Sequence, residues 1–314
     1  MSIKTKANIE LIIAMIFMGS FVVVGKMIVE IFPIYLASGL RLLFALLILI
    51  PLLLIFEKGF PKIEKKDMWI LFIESFTGIF LFSIFLLYGL KYVSAANGGI
   101  IISTTPAVIG LIAYIFLKEK LTLKMGAGIL IVVIGLISTH ILNHFTGVET
   151  NTSIVIGTLF MFGAVLGEAL MTIFGKVLTA RLSPLAITTW LCIFGFLLFL
   201  PFAIYEGRTF NFTKVKWSEW LQLFYYGAFI SGLVVLLWHK GVSRIAASSA
   251  GVYLGILPIS SAFLAHFFLK ETVLLSQLIA MVFVIIGIVV VTKSSTIEER
   301  VSDVVEVLEE KKLL

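Results

Sequence analysis

The chain has 314 residues, 60% of them hydrophobic and only 13% charged, with a mean hydropathy of +1.14. A soluble domain of this length cannot hide so much apolar side chain. The net charge of +6 is clustered between apolar runs, so it belongs to loops beside a membrane; no basic stripe with interleaved aromatics marks a nucleic-acid surface.

In chain order the apolar runs fall near 8–28, 34–56, 68–90, 95–117, 122–142, 154–176, 184–205, 219–239, 247–269 and 274–292. Each is about 20 residues long, enough to cross roughly 30 Å of hydrocarbon. The short alternating strands of a closed barrel are absent, so helices must satisfy the backbone in lipid. The first run follows Lys4 and Lys6, as a signal peptide would. No small-residue cleavage site follows it, and more spans come at once, so it is read as a retained helix. Charged loops lie at 57–67 and 206–219, and 140–153 is the hinge between halves. The single cysteine, Cys192, lies in an apolar run; it rules out an internal disulfide framework and reads as a small buried hydrophobe. In the tail, Thr296 and Glu299 have capping-box spacing. Ile297, Val301, Val304, Val305 and Leu308 recur at helical spacing, predicting a short soluble helix.

The spans repeat. Pro106-x11-Lys118-Glu119 returns as Pro258-x11-Lys270-Glu271, 152 residues later. Gly89 and Gly99 match Gly241 and Gly251 at the same offset. At an offset of 150, Gly25-Lys26 matches Gly175-Lys176 and Pro51 matches Pro201. Five spans per half is an odd number, so the second half enters the membrane upside down. With the N-terminus inside, thirteen basic residues fall in internal loops and six in external ones. That bias places both termini in the cytoplasm.

Several stretches then resemble a known family. They are Met18-Gly19-Ser20 through Gly25-Lys26, Arg41, Tyr88-Gly89-Leu90-Lys91-Tyr92-Val93-Ser94-Ala95-Ala96, and Pro106 to Lys118-Glu119. Leu237-Trp238 through Arg244-Ile245-Ala246-Ala247 and Pro258 to Lys270-Glu271 complete the set. In their order and double occurrence they resemble the EamA-type members of the drug/metabolite transporter superfamily, over about residues 8–292. The resemblance implies an all-α polytopic membrane protein, with ten transmembrane helices in two inverted five-helix repeats. These are residues 1–146 and 147–293, with a cytoplasmic tail over 294–314. It implies secondary transport, often export, of amino acids, metabolites or small drugs through a central cavity. Such proteins often carry Trp just before the Gly of span one, where this chain has Met18; 150 residues on it has Glu168.

Glu168 is the most informative single residue. It lies deep in span six, where a charge costs about 2.5–3.5 kcal/mol on insertion scales. Gly157, Met161, Ala164, Thr172 and Gly175 share its helical face and leave space around it. It is either a substrate-amine partner or proton site, or a buried carboxylate bonded to a neighbouring helix. Glu74, about two turns into span three from Asp67, is either a gate or coupling residue or a solvated or helix-paired acid. Arg41 in span two reads as an interfacial anchor or ion-pair partner. Asn97, Ile101, Thr104 and Val108 share one face of span four, matched in span nine by Ser249, Tyr253, Ile256 and Ser260. A mixed polar and aromatic face suits a cavity wall, and packing through small residues suits it equally. Pro106 and Pro258 bend their helices. Trp238 is either an interfacial belt residue or part of the pore lining. His140 and His144 have helical metal-ligand spacing but no third ligand, and no cofactor or metal is expected.

The sequence therefore predicts a multi-pass transporter of the cell membrane, not an enzyme. It would move small organic solutes, and its partners would be that solute and the bilayer, with no nucleic acid and a monomer or homodimer as the assembly. Substrate-binding or coupling residues would be Glu168, Asn97, Thr104, Ser249, Tyr253, Ser260 and Trp238, with Glu74 as gate. The rivals are an intramembrane enzyme acting on lipid-linked substrates and a passive channel or scaffold. The first would need grouped polar catalytic residues near one interface, and here the ionisable residues are scattered.

Overall fold

A run of apolar residues flanked by Pro, Gly or charge folds as helix in lipid because only the helix pairs its own backbone. The computed structural model describes residues 3–116, 123–145, 152–179, 181–242 and 251–290. Among these the elements are α1 Ile3–Ile31, α2 Ile34–Phe56, α3 Lys65–Ser75, α4 Phe82–Tyr92, α5 Ala95–Ile102 and α6 Thr105–Phe116. Next come α7 Leu123–Phe145, α8 Thr152–Thr179, α9 Pro184–Thr209, α10 Trp217–Phe224 and α11 Val235–Val242. The last two are α12 Ile256–Leu269 and α13 Leu275–Val290. Six spans among the described residues are long and apolar enough to cross a membrane: Ile9–Ile31, Ile34–Phe56, Lys65–Tyr92, Thr152–Gly175, Pro184–Thr209 and Trp217–Trp238. Shorter apolar helices occupy Ala95–Ile109, Gly126–Gly135, Tyr253–Leu269 and Leu275–Val290. The tail helix expected over 294–314 lies outside the described residues.

The halves interlock in a way that maps onto itself when they are exchanged. Span one packs against α12 and the eighth span, and α8 packs against α4, α5 and α6. The repeated glycines show the same exchange. A Cβ on Gly89 would strike Met161, and one on Gly241 would strike Leu11. These targets, like the glycines, hold corresponding places in the two halves. The central pair, α2 with α9, runs antiparallel and is tied at both ends. The Leu36 N–H near the start of α2 donates to Glu206 Oε2, at 2.7 Å. At the opposite end, Ser183, which caps α9 by accepting from Ala186 N at 3.0 Å, donates to Glu57 at the end of α2. Each carboxylate thus meets a helix N-terminus, where backbone N–H groups are orphaned and the dipole favours an anion.

Two pairs of equivalent spans are irregular. The third span widens into a π-helical segment at Phe76–Leu81, and the eighth does so at Tyr225–Val234. Gly227 lies in the latter, and its Cα comes so close to α2 that an added Cβ would sit 2.2 Å from the Arg41 carbonyl oxygen. The fourth and ninth spans were expected to bend at their prolines; the fourth is interrupted instead. α5 ends at Ile102 and α6 starts at Thr105. In the ninth, a 3-10 turn over Gly251–Gly255 leads directly into α12. Pro106 has no N–H for the Ile102 carbonyl. Thr105 Oγ1 takes that place, donating to Ile102 O at 2.7 Å, while Thr104 Oγ1 donates to Ile101 O and Ser103 Oγ to Ile100 O, both at 2.7 Å. Three consecutive hydroxyls thus cover the last three carbonyls of α5, and the Thr104 N–H also reaches Ile101 O at 3.0 Å.

Candidate functional site

The interruption between α5 and α6 places three buried hydroxyls, of Ser103, Thr104 and Thr105, side by side. Beside it lies a cavity of about 850 Å³ walled by α5, α6, α7, α8 and the segment from Leu269 to Gln277. Asn97, Ile101, Thr104 and Val108, the mixed face of span four, all line it. Most of its polar groups, from Ser94, Asn97, Lys270, Glu271, Thr272 and Gln277, come from the α5 N-terminus and the segment after α12, and Thr104 and Thr158 add hydroxyls from the break and from α8. The remaining walls are apolar. Four of them, Leu111, Val133, Ile137 and Leu166, are at least 42% exposed, so the apolar wall is also part of the outer surface. Its size and lining suit a small amphipathic molecule.

The two threonines at the break face different ways. Thr104 lines the cavity, and Thr105 Oγ1 lies 2.8 Å from Glu168 Oε2. Glu168 is half-buried and is held by α8, whose Thr172 donates to the Glu168 carbonyl at 3.0 Å. The chemistry of the pair is constrained by proton count. Thr105 has one O–H and two acceptors within reach, the Ile102 carbonyl and the Glu168 carboxylate. An ionised Glu168 competes with Ile102 for that proton. A protonated Glu168 can itself donate to Thr105, which then keeps its bond to Ile102. Loading or unloading Glu168 therefore changes the hydrogen bond that stands in for the missing one at Pro106. The pair bridges the two halves and has no counterpart: by the repeat, Met18 and Leu257 occupy the matching places.

The other expected site residues are placed as follows. The single O–H of Ser260 has two acceptors within reach, Leu257 O at 3.1 Å and Met15 O at 3.3 Å, so it faces α1, where Gly19 leaves room for it. Tyr253 and Trp238 are half-buried against the main core and are not among the cavity walls. Ser249 lies outside the described residues, as do the side chains of His140 and His144. Glu74 is 0% exposed, and neither carboxylate oxygen has a hydrogen-bond partner. It sits against Gly175 of α8, where a Cβ would come within 3.0 Å of Oε1. Across the repeat, Gly25 faces the Tyr226 hydroxyl in the same manner.

Arg41 departs from the interfacial place expected of it. It is 4% exposed and lies in the core between the irregular spans. Nη1 donates to Ser231 Oγ and Nη2 to Ser83 Oγ, each at 2.7 Å. Its guanidinium lies 5.6 Å from the Phe21 ring centre and 5.3 Å from that of Tyr226, and Phe21 and Tyr226 stack on each other. Cation–π attraction and charge-assisted bonds thus replace the ion pair. No sequence signal links Arg41 to Ser83 and Ser231, because the meeting depends on how the halves pack.

The family model described as the EamA-like transporter family matches residues 5–140 and 155–293. The chain is similar to the uncharacterized transporter YetK of Bacillus subtilis, with 40% identity over 98% of this chain and 92% of that one. It is 24% identical to a WAT1-related protein of Arabidopsis thaliana, over 92% of this chain and 82% of that one. A solved structure with 17% identity superposes with a TM-score of 0.63, covering 90% of this chain and 96% of the other; that likeness concerns the fold alone.

Proposed function

The chain belongs to the EamA-like transporter family, a multi-pass membrane protein of the drug/metabolite transporter kind, and from that premise we propose that it is a secondary transporter working by alternating access. The single observation that carries this reading is the interrupted helix α5–α6. It turns Asn97 and Thr104 to a cavity of about 850 Å³ and Thr105 to the carboxylate of Glu168. Discontinuous helices at a repeat interface are where transporters place their substrate and coupling groups.

The cargo in this reading is a small organic metabolite with an apolar body and a polar end, such as an amino acid or a drug-like amine. The direction is export, from a cell membrane in which both termini are cytoplasmic. Glu168 serves either as partner to the substrate amine or as the site of a coupled proton. The role is transport rather than catalysis.

Counterflow in proteoliposomes, screened over amino acids and amphipathic amines, identifies the cargo. With a cargo in hand, Glu168→Gln is expected to insert normally and to lower transport by about tenfold or more, or to flatten its pH profile. Unchanged uptake and an unchanged pH profile in that variant would remove Glu168 from the site.

A further inference from the structure

The repeated Lys-Glu pair has a use that its place at a helix end does not announce. Lys270 ends α12 in the left-handed region, with φ +57°, a conformation that non-glycine residues rarely adopt. The turn sends the chain back over the helix, and the Glu271 N–H closes it onto Ala265 O at 3.3 Å. His266 Nδ1 adds a contact to the Glu271 carbonyl at 3.0 Å. The Glu271 side chain is thereby aimed at the other half of the protein. Its two oxygens accept from Ala95 N at 2.9 Å and Ala96 N at 3.2 Å, the first residues of α5.

Three neighbours reinforce the contact. Gln277, 3% exposed, donates through Nε2 to Asn97 Oδ1 at 3.0 Å and to Ser94 Oγ at 3.3 Å. Ser94 also caps α5 by accepting from Asn97 N. From α1, Lys26 donates to the carbonyls of Leu90 and Val93, at the end of α4. The turn between α4 and α5 is thus held by a cation at the helix end it follows and an anion at the helix start it precedes, each matching the local dipole. Ser94, Asn97, Glu271 and Gln277 also form the polar end of the cavity.

We propose that Glu271 is a positioning residue that gates this end of the cavity. Bound to the α5 N-terminus, it holds the half-helix that carries Asn97 and leads to Thr104, and keeps the two halves together there. Released, it lets α5 move away from the segment after α12 and opens the polar end to water. The idea rests on the transporter reading for its purpose, but its test needs no known cargo.

The test uses the one native cysteine to advantage, because Cys192 is buried. Ile101 is 6% exposed and lines the cavity, so Ile101→Cys reports entry of a membrane-impermeant maleimide. Full-length protein is labelled in sealed right-side-out and inside-out vesicles. Glu271→Ala and Glu271→Gln are expected to raise the labelling rate about tenfold or more, because a charge-assisted double bond holding one state is lost. Leu191→Cys, buried in a separate cluster with Leu71 and Leu178, should stay unreactive in the same backgrounds. A rise from the right-side-out face supports the gate and its external position. A rise from the inside-out face alone also supports the gate but reverses the proposed orientation. Unchanged Ile101→Cys labelling in Glu271→Ala, or an equal rise at Leu191→Cys, overturns the proposal. If Glu271→Ala fails to insert, Glu271→Gln decides on the same criteria. Counterflow is measured separately, so failure of the gate and failure of the transport reading give different results.

Discussion

Glu74 is a carboxylate with no bond for its charge. Both oxygens are buried without a partner, and Gly175 of α8 leaves just enough space for them. Unpaired buried polar groups cost stability, typically about 1–3 kcal/mol, and a chain selected only for stability would fill the place with an apolar side chain. Glu74→Met is accordingly expected to raise thermal stability in detergent by about 1–3 kcal/mol while lowering transport. A lower melting temperature in Glu74→Met would show that the carboxylate is structural. Arg41 teaches the reverse. Its position two turns into a span reads as an anchor near the surface, yet it is buried between Ser83, Ser231 and two rings. The sequence places Arg41 two turns into span two; it does not show that spans three and eight bring a hydroxyl each to meet it. Glu168 was legible as costly and deep. Its partner Thr105 was not, because that contact depends on where span four breaks.

At the scale of elements, the irregular helices matter more than the regular ones. The break after Ile102 was half legible. Pro106 announces a missing N–H, and Ser103, Thr104 and Thr105 are the residue types that supply substitutes. What the sequence left open was whether the helix bends or stops. Pro106→Ala restores the missing donor for Ile102 O. We expect it to stabilise the helix, by up to about 3 kcal/mol, and to reduce transport by making the span continuous. Thermal melting and counterflow on the same preparation check both halves of that statement; full transport with raised stability would mean that the interruption has no role. The π-helical segments at Phe76–Leu81 and Tyr225–Val234 had no such signal. Neither contains proline, and their hydrophobic pattern resembles that of any apolar helix. Their occurrence at matching places in both halves is a property of packing between the halves, as at Gly227 against the Arg41 backbone.

For the whole molecule, composition and repetition carried the most information. Apolar runs of spanning length dictate helices, and Pro106-x11-Lys118-Glu119 against Pro258-x11-Lys270-Glu271 dictates two copies. The antiparallel pairing of α2 with α9 and the exchange of Gly89–Met161 for Gly241–Leu11 follow from that duplication. The site was less legible because it uses the places where the copies differ. Glu168 and Thr105 face each other across the halves, where the symmetry-related places hold Met18 and Leu257. The cavity takes its stripe from span four, and Ser260 of span nine packs instead on α1. Central to all of this is the claim that a solute binds within the protein and crosses as the halves change places around it. The most direct test is counterflow of a labelled cargo in proteoliposomes against increasing unlabelled cargo on the opposite side. The account predicts transient accumulation of label above its external concentration, with a rate that saturates. Flux that rises linearly with concentration and never overshoots would mark a passive pore and contradict it.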